Sequence, residues 1–168
     1  MVESAKLMPE WMKSIQAEVE LEEARGQAIA QRNRAAVLLI QAERPKFWQH
    51  LIEKLKIATD ALPSLKLAGR FSPGIESRGI RISMSHPGLF VSQTHTDLFL
   101  DSDCIRCTGL DIGFYNLRFC AVSNSEIAVT DEQGDGHPMD PDQASEYVMR
   151  RMIDLLELRK RQPPYSRY

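Results

Sequence analysis

The 168-residue sequence lacks several features that would identify a function class directly. Its longest apolar run, residues 35–40, is far shorter than the roughly 20 residues that a membrane-spanning helix needs. Residues 1–10 contain no positive segment followed by an apolar one, so we expect no secretory signal. The formal net charge of −2 provides no overall attraction to nucleic acid or anionic lipid. We therefore expect neither a membrane nor a nucleic acid as partner.

Cysteine is also scarce, because the chain has three, an odd number that excludes complete internal pairing. Together with the missing signal, this favours reduced thiols and a cytoplasmic location. The motifs HExxH and GxSxG are absent, and the glycines do not form a phosphate-binding loop. The sequence therefore indicates no cofactor and no metal, and it favours a non-enzymatic protein over an enzyme.

Between residues 79 and 130, short alternating stretches of apolar and polar residues predict strands. Ile80, Ile82 and Met84 alternate with polar residues, for example. Turn-forming residues separate the stretches, as in Ser123-Asn124-Ser125. The predicted strands are residues 79–85, 89–93, 96–101, 104–108, 112–122 and 126–130. We expect an antiparallel meander of about five or six strands with one apolar face.

Helical sequence lies on both sides of this region. Residues 10–44 contain no proline and are rich in strong helix formers, which predicts a long N-terminal helix. Pro45 is expected to stop or kink it and to open a second helix, residues 45–62. After the sheet, Asp140 as N-cap, Pro141 at the first helical position and Gln143 predict a C-terminal helix over residues 141–162.

The predicted fold class is α+β, an antiparallel sheet packed with helices, preceded by a long N-terminal helix and closed by a C-terminal one. The thin apolar stripe of the N-terminal helix broadens at residues 35–40, where we expect it to enter the core. This change suggests an N-terminal helical arm, residues 1–34, and a single α+β domain, residues 35–168, with the sheet at 79–130. Residues 64–77 are expected to form a connection, with at most a short strand at 65–67.

Two groups of apolar residues are candidates for self-association. Trp11, Ile15 and Val19 form a narrow stripe on a strongly charged helix, which suits contact with a partner subunit. Phe99 and Phe114 are predicted on the polar face of the sheet, where a wholly solvated surface rarely carries two phenylalanines. Our leading hypothesis is therefore a non-enzymatic binding or adaptor protein that forms a homodimer or binds another protein.

The alternative hypothesis is a domain that binds a small anionic ligand. Arg81, Arg106 and Arg118 are predicted on the polar face of the sheet, and converging guanidinium groups bind phosphate or carboxylate. The candidate ligand-binding residues are Arg81, Ser83, His86, His95, Arg106 and Arg118. Enzymatic activity at this site would be an additional hypothesis, with His86 or His95 as acid or base. The competing interpretation is that the arginines pair with acids on neighbouring strands, namely Asp97, Asp101 and Glu126.

Cys104 and Cys107 form a CxxC motif, a spacing that can hold a metal or exchange thiols. Positions three apart on a strand point to opposite faces, so we interpret them as structural thiols, with Cys107 in the core and Cys104 on the face of Cys120. The acidic segment 131–136 lacks the ligand spacing of a calcium loop. The basic residues 159–161 favour nucleic-acid contact only weakly in an acidic chain.

Overall fold

The computed structural model describes residues 8–74, 79–87, 93–109 and 112–161, with side chains up to residue 157. Helix α1 spans Glu10–Asp60, a short 3-10 helix spans Leu62–Leu65, and helix α2 spans Pro141–Arg161. Six strands lie between them: β1 (Ala68–Pro73), β2 (Ile80–Ser85), β3 (Gln93–Leu100), β4 (Cys104–Gly109), β5 (Gly113–Ala121) and β6 (Ile127–Asp131). The predicted α+β class is thus confirmed.

The strands form one antiparallel sheet in chain order, from β1 at one edge to β6 at the other. Each strand therefore pairs with its neighbours in the sequence, as expected for a meander joined by short turns. At the β6 edge, Val129 and Met139 exchange two backbone hydrogen bonds of 3.0 and 2.7 Å. The segment before α2 thereby covers part of that edge.

The hydrophobic core contains the apolar face of the sheet and one side of each helix. From α1 come Phe47, Leu51 and Leu55, which recur every four residues and are buried. The ring of Phe47 meets that of Phe119 edge-on, with centroids 5.5 Å apart. The buried residues of the strands and α2 include Ile80, Ile82, Met84, Leu98, Ile105, Cys107, Tyr115, Leu117, Phe119, Val129, Val148, Met152 and Leu156. The alternation in the sequence predicted the strand members of this core correctly.

The start of α2 follows its predicted capping chemistry. The backbone N–H of Gln143 donates to Asp140 Oδ1 at 2.8 Å, and the N–H of Asp140 donates to Gln143 Oε1 at 3.0 Å. These reciprocal bonds satisfy donors that the first helical turn leaves free. The helix then begins at Pro141, where a missing N–H costs nothing.

The prediction of a separate helix at residues 45–62 needs correction. Helix α1 continues through Pro45 and ends at Asp60. A proline inside a helix removes one backbone hydrogen bond and crowds the preceding turn, at a cost of about 3 kcal/mol or more. Core contacts hold the helix on both sides of the proline. Ile40 packs partly against the core before it, and Phe47, Leu51 and Leu55 are buried after it, with about 1.5–3 kcal/mol gained for each buried side chain.

The N-terminal helix was expected to enter the core at residues 35–40, and α1 first packs against the core at the end of this range. Val37 and Leu38 are 52% and 65% exposed, and Ile40 is the first residue of α1 to pack partly against the core. The described residues up to Leu38 form one compact unit, and those from Leu39 onward form another. A short apolar run predicts that a surface will be covered, but it does not identify what covers it.

Strand β1 lies where a connection was predicted. The short strand expected at residues 65–67 is absent, because Leu62–Leu65 form the 3-10 helix and Lys66 ends it with a φ of 58°. β1 follows at Ala68–Pro73 and pairs with β2 along its whole length. A Cβ placed on Gly69 would collide with the side chain of Leu62, so a larger residue there would force that side chain to move. Of the predicted strand at 89–93, only Gln93 lies within the described residues, in β3.

Replacing Leu51 with alanine is expected to lower the free energy of unfolding by about 2–5 kcal/mol, because it leaves a cavity in the core. Leu38→Ala is the matched control, since this leucine of the same helix is exposed; its effect should stay within about 0.5 kcal/mol. Urea unfolding of both variants measures the difference. Equal losses would contradict this assignment of the core.

Candidate functional site

The candidate arginines lie on three strands, and each has a carboxylate partner. Arg81 on β2 donates from Nε to Asp97 Oδ1 and from Nη2 to Asp97 Oδ2, both at 2.7 Å. The two residues are directly opposite in the register of β2 and β3, and the Asp97 side chain is buried. A bidentate pair of this kind fixes the guanidinium in its plane and uses its fork of donors.

The other two arginines pair at the end of the sheet where the β3–β4 turn lies. Arg106 Nη2 donates to Asp101 Oδ2 at 2.6 Å. Arg118 Nε donates to Glu132 Oε1 at 2.6 Å, and its Nη1 lies 3.3 Å from Asp103 Oδ2. Two of the expected partners, Asp97 and Asp101, are therefore present, whereas Arg118 pairs with Glu132 and Asp103 rather than with Glu126.

Glu132 is held in its ionised form by its neighbours. Asn116 Nδ2 donates to Glu132 Oε2 at 3.1 Å, and this bond together with that from Arg118 lowers the pKa of the Glu132 carboxyl. The Glu132 carboxylate also raises the pKa of Arg118. The charges of this pair are mutually neutralised at neutral pH, which leaves less field for an added anion.

The register of the strands determines which of the three arginines are neighbours. Arg118 is opposite Cys104, and Arg106 is opposite Asn116, so Arg106 and Arg118 are diagonal neighbours on β4 and β5. Such positions have Cα atoms roughly 7–8 Å apart. Arg81 is on β2, with β3 between it and β4. The structure therefore brings two of the three arginines together, while Arg81 belongs to a separate pair.

The remaining candidate ligand-binding residues lie on both sides of the sheet. Ser83 is opposite His95 in the register of β2 and β3, on the face that carries Arg81. His86 instead contacts α2, with Nε2 3.8 Å from Glu157 Oε1 and a largely buried side chain. The two histidines thus do not share one site, although both flank the same hairpin in the sequence.

The candidate self-association residues of α1 are exposed. Trp11, Ile15 and Val19, which we call the N-terminal stripe, are 64%, 52% and 49% exposed. They recur every four residues and therefore lie on one side of the helix. On the sheet, Phe114 is also more than half exposed, whereas Phe99 is partly covered. Phe114 lies on β5 and Phe99 on β3.

The three cysteines are free thiols. Cys107 is buried in the core, and burial raises its pKa to about 12. Burial also raises the pKa of Cys104 and Cys120, which lie on the opposite face at diagonal positions of β4 and β5. Because the two thiols of the CxxC motif point to opposite faces, the motif does not gather them around one metal. In the described part of the chain, no group of three or more histidine, cysteine or acidic side chains is placed to hold a metal ion.

Sequence reasoning missed a polar cluster that joins α2 to the sheet. Tyr147 on α2 donates its hydroxyl hydrogen to Asp131 Oδ2 at the end of β6. Arg151 Nη1 donates to the Tyr147 hydroxyl at 3.0 Å and lies 3.4 Å from Asp131 Oδ2. The Arg151 guanidinium also stacks on Tyr115, 4.1 Å from the ring centroid. The spacing of Tyr147 and Arg151 on a helix, and the place of Asp131 in the core-facing alternation of β6, were the available signals.

The charged groups of this cluster already have partners within the protein. Asp131 Oδ1 also accepts the backbone N–H of Gln133 at 2.9 Å, so both of its carboxylate oxygens are used. A cavity of about 420 Å³ lies beside it, lined by Asp131, Gly134, Asp135, His137, Met139 and Tyr147. The arrangement serves to attach α2 to β5 and β6, because each of its charged groups already has a partner inside the protein.

The chain matches no protein-family model, no curated protein and no solved structure. Among the described helices, none combines the length and the apolar character that crossing a membrane requires. Its function is therefore inferred from its own residues.

Asp97→Asn is expected to lower the free energy of unfolding by about 1–3 kcal/mol, because it removes the buried charged partner of Arg81. Asp101→Asn is the matched control, since the Arg106–Asp101 pair is half exposed and should contribute at most about 1 kcal/mol. Chemical denaturation at pH 7 measures both. A larger effect at Asp101 would show that the Arg81–Asp97 pair is not the more stabilising of the two.

Cys107 is expected to resist alkylation by iodoacetamide at pH 8 while the protein is folded. With a pKa of about 12, only about one thiol in ten thousand is ionised at that pH, and burial blocks the reagent. Its labelling should rise with pH toward 12, since the thiolate is the reactive form. Peptide mapping by mass spectrometry compares it with the half-buried Cys120, and labelling in denaturant is the control. Equal rates for both thiols in the folded protein would refute the burial of Cys107.

Proposed function

We propose that the chain is a non-enzymatic binding protein that self-associates through the N-terminal stripe of α1. The observation that supports this most strongly is the exposure of Trp11, Ile15 and Val19 on successive turns. Single exposed apolar residues are common on protein surfaces, but a contiguous row of large ones marks an interaction surface. Tryptophan, in particular, is enriched at protein–protein contacts.

The stability of this part of the helix also favours a partner. Two exposed side-chain pairs support it, Lys13 with Glu10 and Gln16 with Glu20, each at 2.8 Å. Pairs of this kind contribute only about 0.2–0.5 kcal/mol each. Helices in water owe most of their stability to the packing of an apolar face. A partner on the N-terminal stripe would supply that packing, so association and helix formation would reinforce each other.

The sheet provides a second contact surface in this proposal. Phe114 is exposed on β5, on the face that also carries the Arg106–Asp101 and Arg118–Glu132 pairs. An exposed aromatic side chain near polar, charge-neutralised groups resembles the centre and rim of a protein interface. Phe99, on the same face, is partly covered and has the smaller role.

An anionic small molecule is less well supported as the ligand of that face. To bind phosphate or carboxylate there, an arginine would have to release a protein carboxylate that it already holds. Nucleic acid is not the proposed partner either, since the net charge is −2. The free thiols favour a reducing, cytoplasmic setting.

Ile15→Glu is expected to weaken self-association of the full chain by tenfold or more, because it places an unpaired carboxylate in an apolar contact. Leu21→Glu is the matched control: Leu21 is equally exposed, at 53%, but six residues further along the helix it lies away from the stripe. Light scattering over a dilution series measures the solution mass of both variants and of the wild type.

Two results would contradict the proposal. One is a full chain that stays monomeric over the whole concentration range. The other is an equal change in association for Ile15→Glu and Leu21→Glu, which would separate association from the stripe. Circular dichroism on each variant checks that the core domain remains folded.

A further inference from the structure

The charges on α1 before Leu39 are separated into two halves. Residues 10–23 carry the acids, with Lys13 as the one base, and residues 24–38 carry arginines and no acid. The acids are Glu10, Glu18, Glu20, Glu22 and Glu23, and the bases of the second half are Arg25, Arg32 and Arg34. Stabilisation of the helix itself does not explain this separation. Opposite charges three or four residues apart would form more ion pairs within the helix.

The separation has a consequence for any copy of the chain that packs on this helix. A parallel copy would place acids against acids and arginines against arginines, which is unfavourable on both halves. An antiparallel copy would place Glu18 and Glu20 of one helix opposite the arginines of the other. Opposed helix dipoles favour the same orientation. Each exposed pair of charges contributes little to the free energy of association. When the relative orientation of the two helices is reversed, however, every pair changes from attractive to repulsive.

Gly26 lies between the two halves. Glycine inside a helix costs about 1 kcal/mol relative to alanine, and a Cβ placed on Gly26 would have no atom of the described residues within 4 Å. No contact in the described part of the chain therefore explains a glycine at this position. A second helix that crosses there would explain it, because two backbones can approach more closely where neither has a side chain.

The apolar side of the helix is matched about the same point. Ile15 and Val37 are equally far from Gly26 in the sequence, and both are exposed. With a two-fold axis at Gly26, Ile15 of one copy lies level with Val37 of the other. Glu18 of one copy then lies level with Arg34 of the other, and Glu20 lies level with Arg32.

We infer that the partner is a second copy of this chain and that the two segments 10–38 pair antiparallel, with their crossing at Gly26. This inference rests on the proposed self-association and specifies its geometry. Ile15 of the N-terminal stripe lies level with Val37 in the apolar part of the contact, and the acidic half of each helix lies along the basic half of the other.

Charge exchange tests the orientation. One variant carries Glu18→Arg and Glu20→Arg, a second carries Arg32→Glu and Arg34→Glu, and a third carries all four changes. Glutamate and arginine have similar helix propensities, so the helix itself is little affected. Dissociation constants of the full-length chains are measured by sedimentation velocity at low ionic strength, where screening is weak.

Antiparallel pairing predicts that each double variant dissociates at least tenfold more readily than the wild type. The fourfold variant should return to within about threefold of the wild type, and an equal mixture of the two double variants should form a heterodimer tighter than either homodimer. Parallel pairing predicts little change in either double variant, because like charges face like charges before and after. Unchanged double variants, or a fourfold variant as weak as the doubles, would overturn the inference.

Gly26→Leu provides a second, uncharged test. It should weaken association at least tenfold although leucine favours the helix, whereas Ala28→Leu, on the side away from the stripe, should leave association unchanged. If Ile15→Glu abolishes association and both the charge variants and Gly26→Leu do not affect it, the stripe is the contact and the antiparallel crossing is wrong. If the wild type is monomeric throughout, the proposed function itself fails.

Discussion

The packing of α1 and α2 against one face of the meander is the interaction on which the rest of the structure depends. Each strand pairs with its neighbours in the sequence, so the sheet needs no long-range strand exchange to form. What it does need is burial of its apolar face, because strands that expose residues such as Ile82 and Leu117 to water are not stable. Phe47, Leu51 and Leu55 provide that burial from α1, and Val148 and Met152 provide it from α2. The continuity of α1 through Pro45 agrees with this packing, because Ile40 before the proline and Phe47 after it both contact the core.

The pairing of the polar groups also depends on which face of the sheet they occupy. On the other face, cross-strand register sets Arg81 beside Asp97. Arg106 and Arg118 pair with Asp101 and Glu132, which follow strands β3 and β6, so these positive charges are also neutralised. On the covered face, Asp131 and Arg151 are partly removed from water and bond to each other and to Tyr147. Buried charges of this kind must be paired to be tolerated. Both arrangements leave the charged groups bound to partners within the protein.

The sequence predicted those parts of the structure that local chemistry determines. A period of two assigns Ile80, Ile82 and Met84 to one face without ambiguity, and Asp140 with Gln143 marks a helix start through bonds made within four residues. The partners of Arg118 could not be predicted, because Glu132 and Asp103 lie in turns whose position depends on the register of several strands. β1 was missed for a related reason, since its glycine and proline argue against a strand while its pairing with β2 stabilises one.

The apolar run at residues 35–40 shows why an exposed apolar surface resembles a core in sequence. Local hydrophobicity measures the free energy gained when a side chain leaves water, and that gain is the same whether the covering surface belongs to the same domain or to another chain. Val37 therefore looks like a core residue, although the structure leaves it exposed. The two cases differ in their surroundings. Residues that a domain covers lie next to its other elements, whereas Trp11, Ile15 and Val37 share their helix with an acidic half, a basic half and a glycine between them. Charges sorted in this way have no use in a core, but they are the feature by which a second helix can be oriented.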